Sequence, residues 1–359
     1  MIRNQDLAVF ERDWGISFHG AVDFIKPEWK GNFDLAMDAQ PTLISTPNSG
    51  IPQFLTTFID PDLLRVLTAK NAAADIFGEV RKGSFTDVTV IFPVVEQTGE
   101  VSSYGDFSQN GRAGANMNFP TREAYLYQVI IEYGELELER AGLAKIGWAS
   151  ELKQASINIL NKFQNLTYFY GVSGLQNYGV LNDPSLSAAI APAPKAYNAN
   201  TAGPWITNAA VTATANEIFT DIQALFIQLV NQSAGNVDHE TKMALAMSPK
   251  SHSALTTTNQ FNVNVLDILK KNFPNLRVET AVQYGALSAQ NPQGSAAGEI
   301  MQLIAEEVEG QKTGFCAFNE KLRAGPIIRD LSSFKQKATQ GSWGFVARQP
   351  FAIATMIGL

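Results

Sequence analysis

The stretch from Leu138 to Pro184 constrains the fold of this chain more than any other. Small or apolar residues recur at Ala141, Ala144, Trp148, Leu152, Ala155, Ile159, Phe163, Leu166 and Tyr170. Spacings of three and four keep that stripe on one side of a 3.6-residue helix. The pattern predicts one amphipathic helix of about 33 residues, ~50 Å long. A rod of that length exceeds the diameter of an ordinary compact domain, which implies a flat or extended subunit covered by its neighbours. The helix stops at a glycine-rich exit, Gly171 to Pro184, where Gly171 and Gly174 are expected to take positive φ.

Composition agrees with a covered surface. Only 17% of the 359 residues are charged, against a usual ~25%, and charge is depleted where subunits meet. The net charge is −7, which argues against a nucleic-acid reader. The first 60 residues hold 4 basic and 8 acidic side chains, so a phosphate-gripping arm is not expected there. The one cysteine, Cys316, has no intrachain disulfide partner and fits a reducing compartment as a small buried hydrophobe. No secretory signal follows Met1. The longest near-apolar run, Val88–Val95, is too short to span a membrane. The chain is expected to be soluble, cytosolic when made, and without membrane contact.

Residues 1–60 lack periodicity yet carry Phe10, Trp14, Phe18, Phe24, Trp29 and Phe33. Disordered tails are poor in aromatics, so an extended arm packed on another subunit is expected. Pro61 is placed to start a short helix, Asp62 to Lys70, capped by Asp60. Residues 85–95 and 125–133 read as strands. Between them, residues 96–119 hold four glycines and few aliphatics. They read as a long exposed loop with no core of its own, a contact device.

After the helix, residues 185–207 read as irregular linker, Ala189 to Asn200 especially. Thr214-Ala-Asn-Glu217 forms a capping box before a helix that aligns Ile218, Ile222, Leu225 and Leu229. Met243–Met247 reads as a buried strand. Ser248-Pro249 starts another helix. Val265–Lys270 is a short helix stopped near Pro274. Leu276–Val282 and Met301–Val308 read as strands, and Phe334–Leu359 as one or two long strands joining a sheet.

Catalytic patterns are missing. His19, His239 and His252 lie outside any zinc-binding context. His239-Glu240 reads as a solvated pair in a polar turn, and His252 as a helix-surface residue. Gly111–Gly114 and Gly310–Gly314 lack phosphate-loop spacing, and no nucleophile elbow occurs. Glu306-Glu307, and Glu135 with Glu137, have no partner nearby; in a strand the second pair would share a solvated face. Catalytic, cofactor-binding and metal residues are therefore none, no cofactor is expected, and the chain reads as not an enzyme.

The order of elements resembles the major capsid proteins of tailed bacteriophages, the Hong Kong 97 fold that encapsulins share. Phe169-Tyr-Gly-Val-Ser-Gly-Leu-Gln-Asn177 and Gly179-Val-Leu-Asn-Asp-Pro184 are similar to that family's Gly-x-x-Gly-Leu-x-Asn pattern and its Asn-x-Pro sequel. Met243–Ser248 followed by Pro249–Leu255 resembles its axial-domain strand and Pro-started helix. The resemblance implies an α+β, Hong Kong 97-like fold. Residues 1–60 would be the N-arm, 61–84 the start of the peripheral (P) domain, 85–134 the E-loop hairpin, and 135–184 the spine helix with its exit. Residues 185–333 would form mainly the axial (A) domain, and 334–359 strands returning to the P-domain. It also implies an icosahedral head of pentamers and hexamers, assembled in a bacterial host's cytoplasm around double-stranded DNA held without sequence-specific binding. The other partners implied are a portal and separate scaffolding or decoration proteins; no long charged helical scaffold segment is expected before the arm, so any scaffold is expected to be a separate protein or one already removed. An encapsulin-like shell is the alternative, and a soluble α/β enzyme built on residues 211–359 a weaker one. Some relatives weld their shells through an E-loop lysine; residues 96–119 contain Arg112 and no lysine, so that bond cannot form from this loop.

Overall fold

The structure, a computed structural model, describes residues 71–143, 146–198, 201–207 and 210–359. These fall within one unit, Val66–Leu359. The expectations for the aromatic arm and for a helix from Asp62 to Lys70 lie outside the described residues.

Two four-stranded sheets organise this unit. The first combines β1 (Glu79–Arg81), β6 (Tyr125–Gly134), β10 (Gly314–Asp330) and β11 (Ser333–Ala347) in the order β1-β10-β11-β6. The strands β10 and β11 form one long hairpin whose register slips at several points, for example between Ala324 and Ile327. The second sheet combines β7 (Met243–Met247), β8 (Leu276–Thr280), β9 (Ile300–Ala305) and β12 (Ile353–Ile357) in the order β8-β7-β9-β12. Within these two sheets, β1 with β10 and β7 with β8 run parallel and the other strand pairs antiparallel.

Both faces of the second sheet are covered, so its central strands read as apolar runs rather than alternating ones, interrupted only at Gln302. Met301, Leu303 and Ala305 face a core shared with α4 (Ala215–Gln232) and α6 (Val265–Asn272). Ile300 and Ile304 face a core shared with Tyr168, Phe169, Val180, Cys316 and Phe345. Gln302, the polar residue between them, is satisfied. It accepts from Tyr284 Oη at 2.7 Å and donates to Val180 O and Thr355 Oγ1. The predicted capping box is present at Thr214 and Glu217. Ser248 caps α5 (Pro249–Ala254) with Pro249 in its first turn.

The long helix differs from expectation. After a short first helix, α1 (Ala73–Phe77), two helices stand in its place, α2 (Glu135–Leu143) and α3 (Trp148–Tyr170). Gly142 and Gly147 bracket the break, and both are poor helix formers. The Ile146 amide reaches back five residues to Ala141 O. With 23 residues, α3 is about 35 Å long. Its buried face is also rotated by one residue: Ser156, Leu160, Gln164 and Thr167 pack inward, while Ala155 and Ile159 face outward. Polar partners on β11 explain the inversion, because Thr167 Oγ1 meets Ser342 Oγ at 2.9 Å and Gln340 Nε2 donates to Asn161. Glu135 and Glu137 lie in α2 rather than in a strand.

Two other expectations change. The final strands divide: β11 pairs with β6, but β12 joins the second sheet beside β9. The strand β10, Gly314–Asp330, pairs within the first sheet beside β1 and β11. The segment 185–198 is irregular but not loose. Lys195 Nζ and Asp221 Oδ2 form a fully buried ion pair at 2.6 Å, and Asp221 also accepts from Ala193 N at 2.8 Å and Trp205 Nε1 at 2.6 Å.

Candidate assembly interface

The most exposed part of the described chain is the hairpin of β3 (Val94–Gly99) and β4 (Ala113–Asn118). The ladder runs from Val94 with Asn118 to Gly99 with Ala113. Except for Val94, every side chain in both strands is exposed. The tip, residues 100–112, carries Val101, Tyr104 and Phe107 at 98%, 92% and 100% exposure. Phe119 and Met117 are more than half exposed. A lone exposed apolar side chain means little, but a contiguous set on an arm without a core marks a contact surface.

The base of this arm is rigidly held by the glycine exit. The strands β2 (Thr89–Ile91) and β5 (Thr121–Glu123) pair antiparallel beneath it. The exit residue Gln176 makes two bonds to Glu123 and one to Thr121: its carbonyl accepts from Glu123 N, its amide donates to Glu123 Oε2, and its side chain accepts from Thr121 Oγ1 at 2.6 Å. Asn177 Nδ2 donates to the carbonyls of Glu123 and Ser342, joining the arm's base to β11. Arg122 reaches Asp183 at 2.9 Å with Asp183 fully buried, and its guanidinium lies 4.9 Å from the Tyr178 ring centre. Asp183 also accepts from Ser185 N and Oγ.

Each residue of the exit motif has a mechanical reason. Gly171 and Gly174 adopt φ of 64° and 86°, where side chains are disfavoured. Asn182 Oδ1 accepts from Gly179 N, and its Nδ2 donates to Tyr170 O, one of the open carbonyls at the end of α3. The Tyr170 hydroxyl lies 3.0 and 2.9 Å from the carbonyls of Gln283 and Gln293, and burial pushes its pKa up to about 12. Val180 and Leu181 turn back to bond Tyr168 O and Phe169 O. The last turn of α3 is thereby tied both to the exit that holds the arm and to the segment between β8 and β9.

Further exposed apolar residues lie on the first sheet. Leu126 and Ile130 occupy the face of β6 opposite Tyr127, which packs on Phe163 of α3. Ile327, Ile328 and Leu331 project from the β10–β11 hairpin, with Leu331 92% exposed at its turn. An open groove of about 470 Å³ lies on that sheet, lined by Phe85, Ile130, Pro326 and Ile328 and rimmed by Arg323 and Lys337.

His19 lies outside the described residues, and the other candidate catalytic residues do not converge. Among the described residues, no group of three or more His, Cys, Asp or Glu side chains could hold a metal ion. His239 is exposed but stacks on Phe226 and Phe273, with ring centres 4.5 and 5.0 Å away. Cys316 is buried, its thiol pushed up by desolvation and then by the charge of Glu79. Glu306 pairs with Arg277 at 2.9 Å. Among the described residues, no helix is long and apolar enough to cross a membrane.

Residues 42–358 match the family model of the Pa193 gp26 major capsid protein. No curated protein matches the chain. Among solved structures, the chain is similar to the capsid of Myoviridae phage XM1, at 13% identity and a TM-score of 0.67, covering 87% of this chain and 100% of that one. It is also similar to the capsid of the native GTA particle, at 10% identity and a TM-score of 0.58, covering 88% and 99%. Gordonia phage Cozz gives 11% identity, a TM-score of 0.54, and coverage of 89% and 97%. At such identities the likeness establishes a fold and not a set of contacts. The family match spans most of the chain and agrees with that fold, so the chain belongs to the major capsid protein family on the Hong Kong 97-like fold.

Proposed function

We propose that this subunit builds the icosahedral head of a tailed bacteriophage and encloses double-stranded DNA. The role is mechanical. The β3–β4 arm serves as the E-loop, α3 as the spine of the P-domain, and the β8-β7-β9-β12 sheet with its helices as the A-domain. Residues 1–60 serve as the N-arm. Pentamers and hexamers form around the A-domains, the arms reach over neighbours, and a portal and separate scaffolding or decoration proteins complete the particle. An acidic chain fits confinement of DNA by enclosure rather than by tight binding.

The observation that carries this reading is the hairpin tip. Tyr104 and Phe107 are almost wholly exposed on an arm with no core of its own. Aromatic side chains of that kind supply contact area when buried against a partner. The arm's base, by contrast, is bonded to the exit and to β11, so removing the tip leaves the subunit's cores untouched. Deleting residues 98–117 is expected to give a soluble, folded subunit that forms no stable shells. Normal shells from this deletion, seen by electron microscopy, would refute the proposal.

A further inference from the structure

Asn110 is the only asparagine in the sequence that precedes a glycine. It stands in the hairpin tip, beyond the last ladder pair of Gly99 with Ala113, and it is exposed. Its backbone amide lies 3.5 Å from Ser108 Oγ, and among the described residues no hydrogen bond holds its carboxamide. Gly111 sits at φ 85°, and a Cβ added there would lie 3.2 Å from Ser102 Oγ and 3.4 Å from Glu100 O. The conformation therefore selects glycine, and glycine leaves its own amide nitrogen unshielded beside the Asn110 side chain.

We propose that Asn110 is a site of spontaneous deamidation in the unassembled subunit, and that seating the tip on a neighbouring copy suppresses the reaction. The Gly111 amide nitrogen, having lost its proton to solvent base, attacks Asn110 Cγ. A bond from that nitrogen to Cγ forms, the bond from Cγ to Nδ2 breaks, and ammonia leaves with a proton from solvent. Water then opens the succinimide ring at either carbonyl. One opening gives aspartate; the other gives isoaspartate, with the main chain rerouted through the side-chain carbon. No redox partner is needed.

The products alter the contact tip. It carries Glu100, Asp106 and Arg112, and deamidation adds a second net negative charge. Isoaspartate also lengthens the backbone two residues before Arg112, whose carbonyl accepts from Glu100 N at 2.9 Å to close the hairpin. Subunits that wait too long thereby lose the native tip. Ring closure requires the backbone around Asn110 to rotate, so a tip immobilised in an interface is held away from the reactive geometry. This second half of the proposal rests on the assembly role proposed above.

The test incubates purified full-length subunit and assembled shells side by side in mildly alkaline buffer. The tryptic peptide Gly83–Arg112 has Asn110 as its only asparagine, and mass spectrometry reads its conversion. Expected are a mixture of aspartate and isoaspartate in free subunit, faster conversion at higher pH, and clear retardation in shells. Asn110→Gln, an exposed substitution that leaves the fold intact, should abolish conversion at this position. An unconverted peptide in free subunit would overturn the assignment of Asn110 as the site. Equal rates in subunit and in shells verified by microscopy would overturn the protection. Failure to obtain any shells would count against the assembly reading itself, while conversion in the free subunit would still support the site.

Discussion

Two glycines of the exit motif should respond very differently to the same substitution. At Gly179 the backbone is not in the left-handed region, so alanine is conformationally permitted. The obstacle is space: a Cβ would overlap the Phe169 carbonyl and the Tyr170 amide nitrogen. Both are backbone atoms, so no rotamer change relieves the clash. The chain must separate, which breaks the bonds from Val180 N to Tyr168 O and from Leu181 N to Phe169 O. Overpacking of this severity costs about 3 kcal/mol, and each lost bond about 1 kcal/mol more. Gly179→Ala should therefore destabilise by about 4–5 kcal/mol.

Gly174→Ala meets no atom within 4 Å, but its φ is 86°. The left-handed penalty of about 1–2 kcal/mol is partly offset by the lower entropy of the unfolded chain, about 0.4–1 kcal/mol. A net loss of ~1 kcal/mol is expected. Urea titrations followed by tyrosine and tryptophan fluorescence measure both, with unchanged slopes validating the comparison. If Gly174→Ala proved as damaging as Gly179→Ala, the close crossing of the exit over α3 would be wrong.

The buried ion pair supplies another contrast. Asp221→Ala strands Lys195 and should cost about 3–5 kcal/mol, whereas Lys195→Met with Asp221→Leu should recover much of that by the same titration. Cys316 should resist alkylation in the native state and react fully in denaturant, read by intact mass; modification of folded subunit would contradict its burial. Glu217 is held below its usual 4.5, first by the Ala196 amide and then by Thr214. Its stabilising effect should be complete above the ordinary value and fade as pH falls through the depressed one, so wild type and Glu217→Gln should converge in acid. Shells heated in denaturant should release monomers of 39.1 kDa; a covalent ladder on a gel would contradict the lack of a lysine in residues 96–119.

What the sequence disclosed depended on whether one face of an element was buried. Ile218, Ile222, Leu225 and Leu229 were legible because α4 packs one apolar side against the second sheet. Met243–Met247 was legible because both its faces are buried. By contrast, β10 was hidden: its first residues are buried and its last third is exposed on both sides, so no single period runs through it. The stripe on α3 was legible as helix but misleading as core. Its inward face is largely polar and bonded to β11, and its outward face keeps Ile159 exposed. Lys195 gave no signal at all, because an isolated lysine among alanines and prolines looks solvated until Asp221 is placed beside it. The hairpin tip was legible for the opposite reason, being too poor in aliphatics to make a core.

The exit motif is better understood as a clamp than as a helix terminator. A helix needs only one residue of positive φ to end, and Gly171 provides it. The remaining polar chemistry of the segment is spent elsewhere in the fold: Gln176 and Asn177 on the arm's base, Asn182 on the open carbonyl of Tyr170, Asp183 on Arg122. An arm with no core can transmit force only through its attachment. Fixing that attachment to the last turn of α3, the longest helix among the described residues, makes the exposed tip a lever on that helix. Arg122→Met tests this directly. It leaves the tip's contact residues unchanged, yet removes the partner of a fully buried carboxylate, at a cost of about 3–5 kcal/mol if none of it is relieved by solvent. Shells built from this variant should lose thermal stability by more than the free subunit does, measured by calorimetry of each. Equal losses would mean that the clamp supports folding alone.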